Sequence, residues 1–127
     1  MRTVMDTSVL LDPPSEPILG DIAISCASMA ELHFGVLVAS SDAVRAERLH
    51  RLAVTERSFD ALPVDSDVAR HYGRLAAAVR AAGRQPRARV MDLLIAATAA
   101  AHGARLATRN AADLVGLEEL VEIVAIT

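Results

Sequence analysis

Apolar positions along the chain fall into short blocks that alternate with longer amphipathic stretches, and polar or acidic residues close most of the blocks. Thr3 to Met5 is the first block, ended by Asp6, Thr7 and Ser8. It reads as a central parallel strand, buried on both faces, whose end turns directly into a helix over Thr7 to Leu11. That helix stays short, because Pro13, Pro14 and Pro17 follow Asp12, each removing a donor and restricting the residue before it. Ile22 to Ile24 makes a second buried strand, and Ser25 to Ser28 leads into a helix reaching about Ala39, with Met29, Leu32, Val36 and Leu37 on its apolar face. Within it Ser28-x-x-Glu31 matches a capping box, which alone would account for Glu31. A third helix starts at Ser40, Ser41 and Asp42, with Val44, Leu49 and Leu52 inward and Arg45, Arg48, His50 and Arg51 on a solvated face.

Phe59 to Val64 resembles an edge strand limited by Pro63. Asp65 or Ser66 then caps a helix to about Ala82, with Val68, Tyr72, Leu75, Ala76 and Val79 as one apolar stripe and Gly83 as its stop. The segment from Arg89 to Leu114 is the most informative. Leu93 to Ala101 is apolar on every side apart from Thr98, so as a helix it is buried all round. Asp92 stands at its entrance, where the macrodipole favours an acid. Gly103 stops the helix, Ala104 to Thr108 is a further buried strand, Asn110 can cap a short turn containing Asp113, and Val121 to Ile126 supplies a last strand. Strands alternating with helices over 127 residues indicate one α/β domain spanning residues 1–127.

Composition narrows the chemistry. Hydrophobic residues make up 53% and aromatics 2%, so the core is built from small aliphatic side chains, and stacking of bare bases is a poor recognition mode. The net charge of −3 argues against coating nucleic acid with the whole surface. All 13 basic residues are Arg, with no Lys, which removes a Walker loop and phosphatase chemistry that needs a Lys beside the acid. A single Cys26 excludes an internal disulfide framework and a Cys-rich zinc site and suits a reducing compartment, the cytoplasm by default. No apolar run is long enough for a membrane helix, and Asp6, Pro13 and Pro14 spoil a signal-peptide reading.

Four acids share one description: Asp6 after the first strand, Glu31 in the helix after the second, Asp92 at the entrance to the buried helix, and Asp113 after the fourth strand. If the strands are parallel, all four lie at one edge of the sheet. Two carboxylates ~4 Å apart repel by about 4 kcal/mol at an effective dielectric near 20, so such crowding should raise at least one carboxylate pKa. A divalent cation resolves the conflict, and oxygen ligands without His or Cys select Mg²⁺ or Mn²⁺, which suits attack of water on a phosphodiester. Arg80, Arg84, Arg87 and Arg89 immediately precede Asp92; Arg87 and Arg89 are the better candidates for holding an RNA backbone.

Val4-Met5-Asp6-Thr7-Ser8, Ile24-Ser25 through Ala30-Glu31-Leu32, Asp92 through Ala99, and Ala107-Thr108-Arg109-Asn110 through Asp113-Leu114 together resemble a PIN-domain ribonuclease of the VapC type, the toxin half of a bacterial toxin and antitoxin pair. The resemblance covers nearly the full chain. It implies a three-layer domain with a five-stranded parallel sheet in the order 3-2-1-4-5 and Mg²⁺-dependent cleavage of RNA, with tRNA or rRNA as substrate. It also implies that Asp6 and Asp92 are metal ligands, that Glu31 and Asp113 complete the catalytic pocket, and that Asn110 and Thr7 support it from behind. A VapB-type antitoxin and a homodimer are further implications. The competing reading is a PIN-like RNA-binding or regulatory module that keeps the acids and does not cut.

Overall fold

The structure, a computed structural model, describes residues 1–127. Its strands are β1 (Arg2–Met5), β2 (Asp21–Ser25), β3 (Asp60–Leu62), β4 (Arg105–Thr108) and β5 (Ile123–Ala125), and its helices α1 (Thr7–Leu11), α2 (Cys26–Leu37), α3 (Asp42–Ser58), α4 (Ser66–Ala81) and α5 (Val90–Ala101). Single 3₁₀ turns cover Pro86–Arg89 and Ala111–Leu114. The strands form one sheet in the order β3-β2-β1-β4-β5, and every neighbouring pair is parallel. The expected α/β topology is therefore the observed one.

Period-two burial sorts the strand residues onto two faces. Val4, Ala23 and Leu106 join the main core with Leu93, Ile95, Ala96 and Ala97 of α5 and Val68, Leu75 and Val79 of α4. Met5 and Ile24 point the other way, onto Val9 of α1 and the returning segment at Ile18. A third cluster, Leu32, Val36 and Leu52, joins α2 to α3. The helix α5 is apolar all round because it lies between the sheet and α4; Leu93 and Ile95 are 0% and 1% exposed, each burial contributing about 1.5–3 kcal/mol before entropy is counted. Thr98 is its one polar core residue. Its hydroxyl donates to Leu94 O at 2.8 Å and meets Ser25 Oγ at 2.9 Å, so the helix is pinned to the end of β2 with no polar atom abandoned.

Several local expectations are corrected. The helix α2 ends at Leu37 rather than Ala39, and Leu37 is 75% exposed instead of facing the core. In α3 only Leu52 of the expected apolar trio is buried, and Leu49 is 53% exposed. The two edge strands are shorter than their apolar runs; β3 stops at Leu62, before Pro63, because proline cannot donate to a ladder. The proline-rich segment after α1 contains neither helix nor strand and returns the chain to β2 through Gly20. A Cβ there would stand 2.3 Å from the Met1 carbonyl oxygen, and φ is +93°, so only glycine fits the turn.

Candidate active site

Parallel pairing delivers the acids to one edge. Met5 lies opposite both Ile24 and Ala107, so Asp6, the next residue, falls between the ends of β2 and β4, the edge at which open α/β sheets bind ligands. Asp6 is 9% exposed. It caps α1, as its residue type suggests, accepting from Val9 N at 3.2 Å and from the Ser8 hydroxyl at 2.5 Å. Both bonds fall on Oδ1, leaving Oδ2 with no protein donor. Ser8 in turn accepts from Arg109 N at 3.1 Å, so one hydroxyl fixes the carboxylate to the exit of β4.

The capping-box reading of Glu31 does not hold. The helix α2 begins at Cys26, and its cap is Ser25, which accepts from Ala27 N at 3.0 Å. Ser28 is buried inside the first turn, and Glu31 is released from capping. Instead Thr7 Oγ1 donates to Glu31 Oε1 at 2.6 Å and lies 3.1 Å from Ser28 Oγ. A hydroxyl has one proton, and the carboxylate claims that of Thr7, so Ser28 supplies its own. The local Ser-x-x-Glu pattern lost to the strand's own terminal serine, which reaches the orphan amide first.

Asp92 sits in the first turn of α5 and has no hydrogen-bond or ion-pair partner in the protein. Although the residue is open to solvent at the rim, its carboxyl is held above the ordinary Asp range: burial is the largest cause, followed by the charges of Glu31, Asp6 and Asp113, with Arg89 opposing them. Asp113 lies in the turn Ala111–Leu114. Arg89 Nη2 approaches its Oδ1 at 3.4 Å, while Arg89 Nη1 and Arg84 Nη1, the latter at 3.2 Å, donate to its main-chain oxygen. The Asn110 side chain forms no capping bond; its backbone closes the turn, accepting from Asp113 N at 2.9 Å and donating to Thr108 Oγ1 at 2.9 Å. No three acidic, His or Cys side chains form a ready-made metal cage; the acidic edge is an open one.

This chain matches the PIN domain over residues 3–114. It belongs to the PIN domain family. Among curated relatives, ribonuclease VapC5 of Mycobacterium tuberculosis is 37% identical over 113 residues, covering 84% of this chain and 82% of the relative. Ribonuclease VapC8 of the same organism is 37% identical over 100 residues, covering 76% and 88%. The crystal structure of VapBC-5 from Mycobacterium tuberculosis, a member of the VapBC family of toxin-antitoxin systems, matches with a TM-score of 0.82 and 34% identity over 98% of both chains.

Within this PIN domain, the charges of Glu31, Asp6 and Asp113 all reach Asp92, so the four acids share one edge without closing to the spacing of a metal cage. The two arginines singled out beside them differ. Arg87 is exposed and unpaired, whereas Arg89 is engaged with Asp113. Ser8, which fixes Asp6, was legible only as a member of the Asp6-Thr7-Ser8 run. Arg48 and Arg51, on the face that the sequence pattern marks as solvated, both line a cavity of about 330 Å³ whose other walls include Thr7 and Glu31. The three-residue spacing of Arg45, Arg48 and Arg51 was the available signal, since it puts them on one helix face.

Proposed function

We propose that this PIN domain is a divalent-metal-dependent endoribonuclease, the toxin of a toxin-antitoxin pair, which hydrolyses RNA phosphodiester bonds at the pocket of Asp6, Glu31, Asp92 and Asp113. The observation that carries the reading is the convergence of three other carboxylates on Asp92, whose own carboxyl has no protein partner and is held above its ordinary range. Three carboxylates that all disfavour the charge on a fourth suit a cation better than a structural role.

The donor set fits Mg²⁺. Asp6 offers Oδ2, Asp92 offers both oxygens, and Glu31 keeps the oxygen that Thr7 does not use. The acids form no group of three at metal-holding spacing, and an ion that retains several waters and takes only one or two carboxylates does not require one. Asp6 and Asp92 would hold Mg²⁺, or Mn²⁺ in its place, with Glu31 and Asp113 completing the pocket. When bound, such an ion supplies a water of lowered pKa and positive charge facing the phosphate. The chain's own residues do the rest. Ser8 and the Val9 amide orient Asp6, Thr7 orients Glu31, and Arg89 holds the Asp113 turn at the pocket edge. Arg87 is free to meet the RNA backbone, and Asn110 keeps the turn through its main chain.

The curated relatives are named ribonucleases, and VapBC-5 is a member of a toxin-antitoxin family, which supports a VapB-type antitoxin as the partner; a homodimeric assembly, a tRNA or rRNA substrate and the bacterial cytoplasm extend the same proposal beyond those names. No helix is long and apolar enough to cross a membrane. The test is cleavage of total bacterial RNA with Mg²⁺ or Mn²⁺ and then with EDTA, for the unaltered protein and Asp92→Asn. Metal-dependent cutting that disappears in the variant supports the nuclease. Binding of RNA without cutting under any metal would favour the regulatory module.

A further inference from the structure

Beside Glu31 a cavity continues the acidic pocket into a basic wall. Thr7 and Glu31 form one side of it, and Gly35, Arg48 and Arg51 form another. The arginines of α3 have different occupations. Arg45 Nε donates to Val36 O at 3.3 Å, which also accepts from Ala39 N, and Arg48 Nη1 donates to Gly35 O at 2.7 Å, so these two are engaged with carbonyls at the end of α2 and are explained by helix termination. Arg51 has no such task. It is half-buried, its guanidinium donates no hydrogen bond, and no carboxylate lies within 4.0 Å of it. The nearby acid, Glu31, is already held by Thr7 at 2.6 Å.

A partly desolvated guanidinium without a partner loses hydration and gains nothing until an anion arrives. Arg48, one turn away on the same helix face, adds a second positive charge whose repulsion an anion between the two would relieve. Because the cavity begins at Glu31, an anion there lies beside the carboxylates rather than on them. We propose that Arg51, with Arg48 as its fixed neighbour, binds an RNA phosphate next to the scissile one and thereby sets the direction in which the strand leaves the catalytic acids. The assignment rests on the nuclease reading of the same pocket and adds to it a specific anion site. A guanidinium can grip a phosphate with two parallel hydrogen bonds, which fixes orientation as well as charge.

The experiment measures binding of a fluorescently labelled single-stranded RNA of about 12 nucleotides, a length within the usual range of single-strand sites, by anisotropy in EDTA over a series of NaCl concentrations. Arg51→Ala is expected to weaken binding and to reduce the slope of log affinity against log salt by about 0.7, the release expected for one phosphate contact on a single strand. Arg51→Lys keeps the slope, and Arg45→Ala leaves both slope and affinity unchanged. In Mg²⁺, Arg51→Ala raises KM more than it lowers kcat. Thermal melts check that Arg51→Ala and a second variant, Arg51→Gln, fold, each with a cooperative transition like that of the unaltered protein. An unchanged salt slope in both folded variants overturns the proposal and leaves the cation to a protein partner instead. Failure of the nuclease reading is separate: it shows as cleavage by Asp92→Asn equal to that of the unaltered protein, a result the metal-free binding experiment does not depend on.

Discussion

Thr7 and Glu31, 24 residues apart, share a 2.6 Å hydrogen bond in which the hydroxyl donates to Oε1. This bond ties the first turn of α1 to the first turns of α2 and leaves the second oxygen of Glu31 free. Loss of a residue that orients a ligand carboxylate typically lowers activity or metal affinity about 10–100-fold. Thr7→Val is therefore expected to reduce kcat/KM for RNA cleavage by about that factor with little change in Tm, whereas Thr7→Ser retains most of the activity. Steady-state cleavage of one RNA by the three proteins checks this, and equal activity in Thr7→Val would leave the bond without a catalytic role.

Asp92 gives a pH dependence whose sign follows from its raised pKa. Burial, Glu31, Asp6 and Asp113 all disfavour its charged form. The folded state thus binds the proton more tightly than the unfolded chain, and this contribution to stability is whole below the ordinary Asp value of 3.8 and lost as pH rises through the raised value. Asp92→Asn removes the charge, so in metal-free buffer it should melt at a higher temperature than the parent at neutral pH. The difference should vanish below pH 3.8. Melting curves across that window test the claim, and a variant less stable than its parent at neutral pH contradicts it.

How much of this was legible in the sequence depended on whether a residue's neighbours lay close along the chain. Periodicity placed the α4 stripe and the buried α5 correctly, because a face's apolar spacing is a local property. It also placed Asp6 and Asp92 at element ends. What failed was competition between equivalent groups: Ser25 and Ser28 are both good caps, and only the register of β2 decides for Ser25. The exposed faces of Leu37 and Leu49 and the half-buried positions of Arg48 and Arg51 depend on how α3 lies against α2. No spacing within either helix encodes that angle. The engagement of Arg89 with Asp113 likewise joins residues from separate turns, and it changes Arg89 from a free RNA contact into a support of the pocket edge.

That difference separates two neighbouring arginines experimentally. Arg87 is exposed and unpaired, so Arg87→Ala should lower the salt slope of RNA binding by about 0.7 with no other consequence. Arg89→Ala withdraws the positive charge that offsets the acids at Asp92 and releases the Asp113 turn. It should reduce cleavage more than RNA binding, and the fall in kcat should exceed that of Arg87→Ala. Parallel measurements of kcat and the salt slope decide, and equal kcat in the two variants would remove the supporting role of Arg89.

Thr98 links core packing to the site. Its hydroxyl meets Ser25 Oγ at 2.9 Å, and Ser25 in turn caps the helix that carries Glu31. Thr98→Val keeps the shape and leaves the Ser25 proton buried without an acceptor, a loss of about 1–3 kcal/mol in stability. Thr98→Ser should recover most of it. Chemical denaturation of the three proteins provides the measurement, and an unchanged midpoint for Thr98→Val would mean that the serine finds another acceptor.

Metal binding should be visible without any RNA. A ligand that binds only the folded state stabilises it by about 1.4 kcal/mol at a tenfold excess over its Kd. Mg²⁺ and Mn²⁺ are accordingly expected to raise the Tm of the unaltered protein in a concentration-dependent manner, with Ca²⁺ a weaker substitute because it demands more oxygen ligands than this open edge offers. Asp92→Asn should lose most of that rise even though its metal-free Tm is higher, because the charge that destabilises the empty pocket is the one that attracts the cation. A thermal shift of the same size in both proteins would place the metal away from Asp92 and detach the acidic convergence from catalysis.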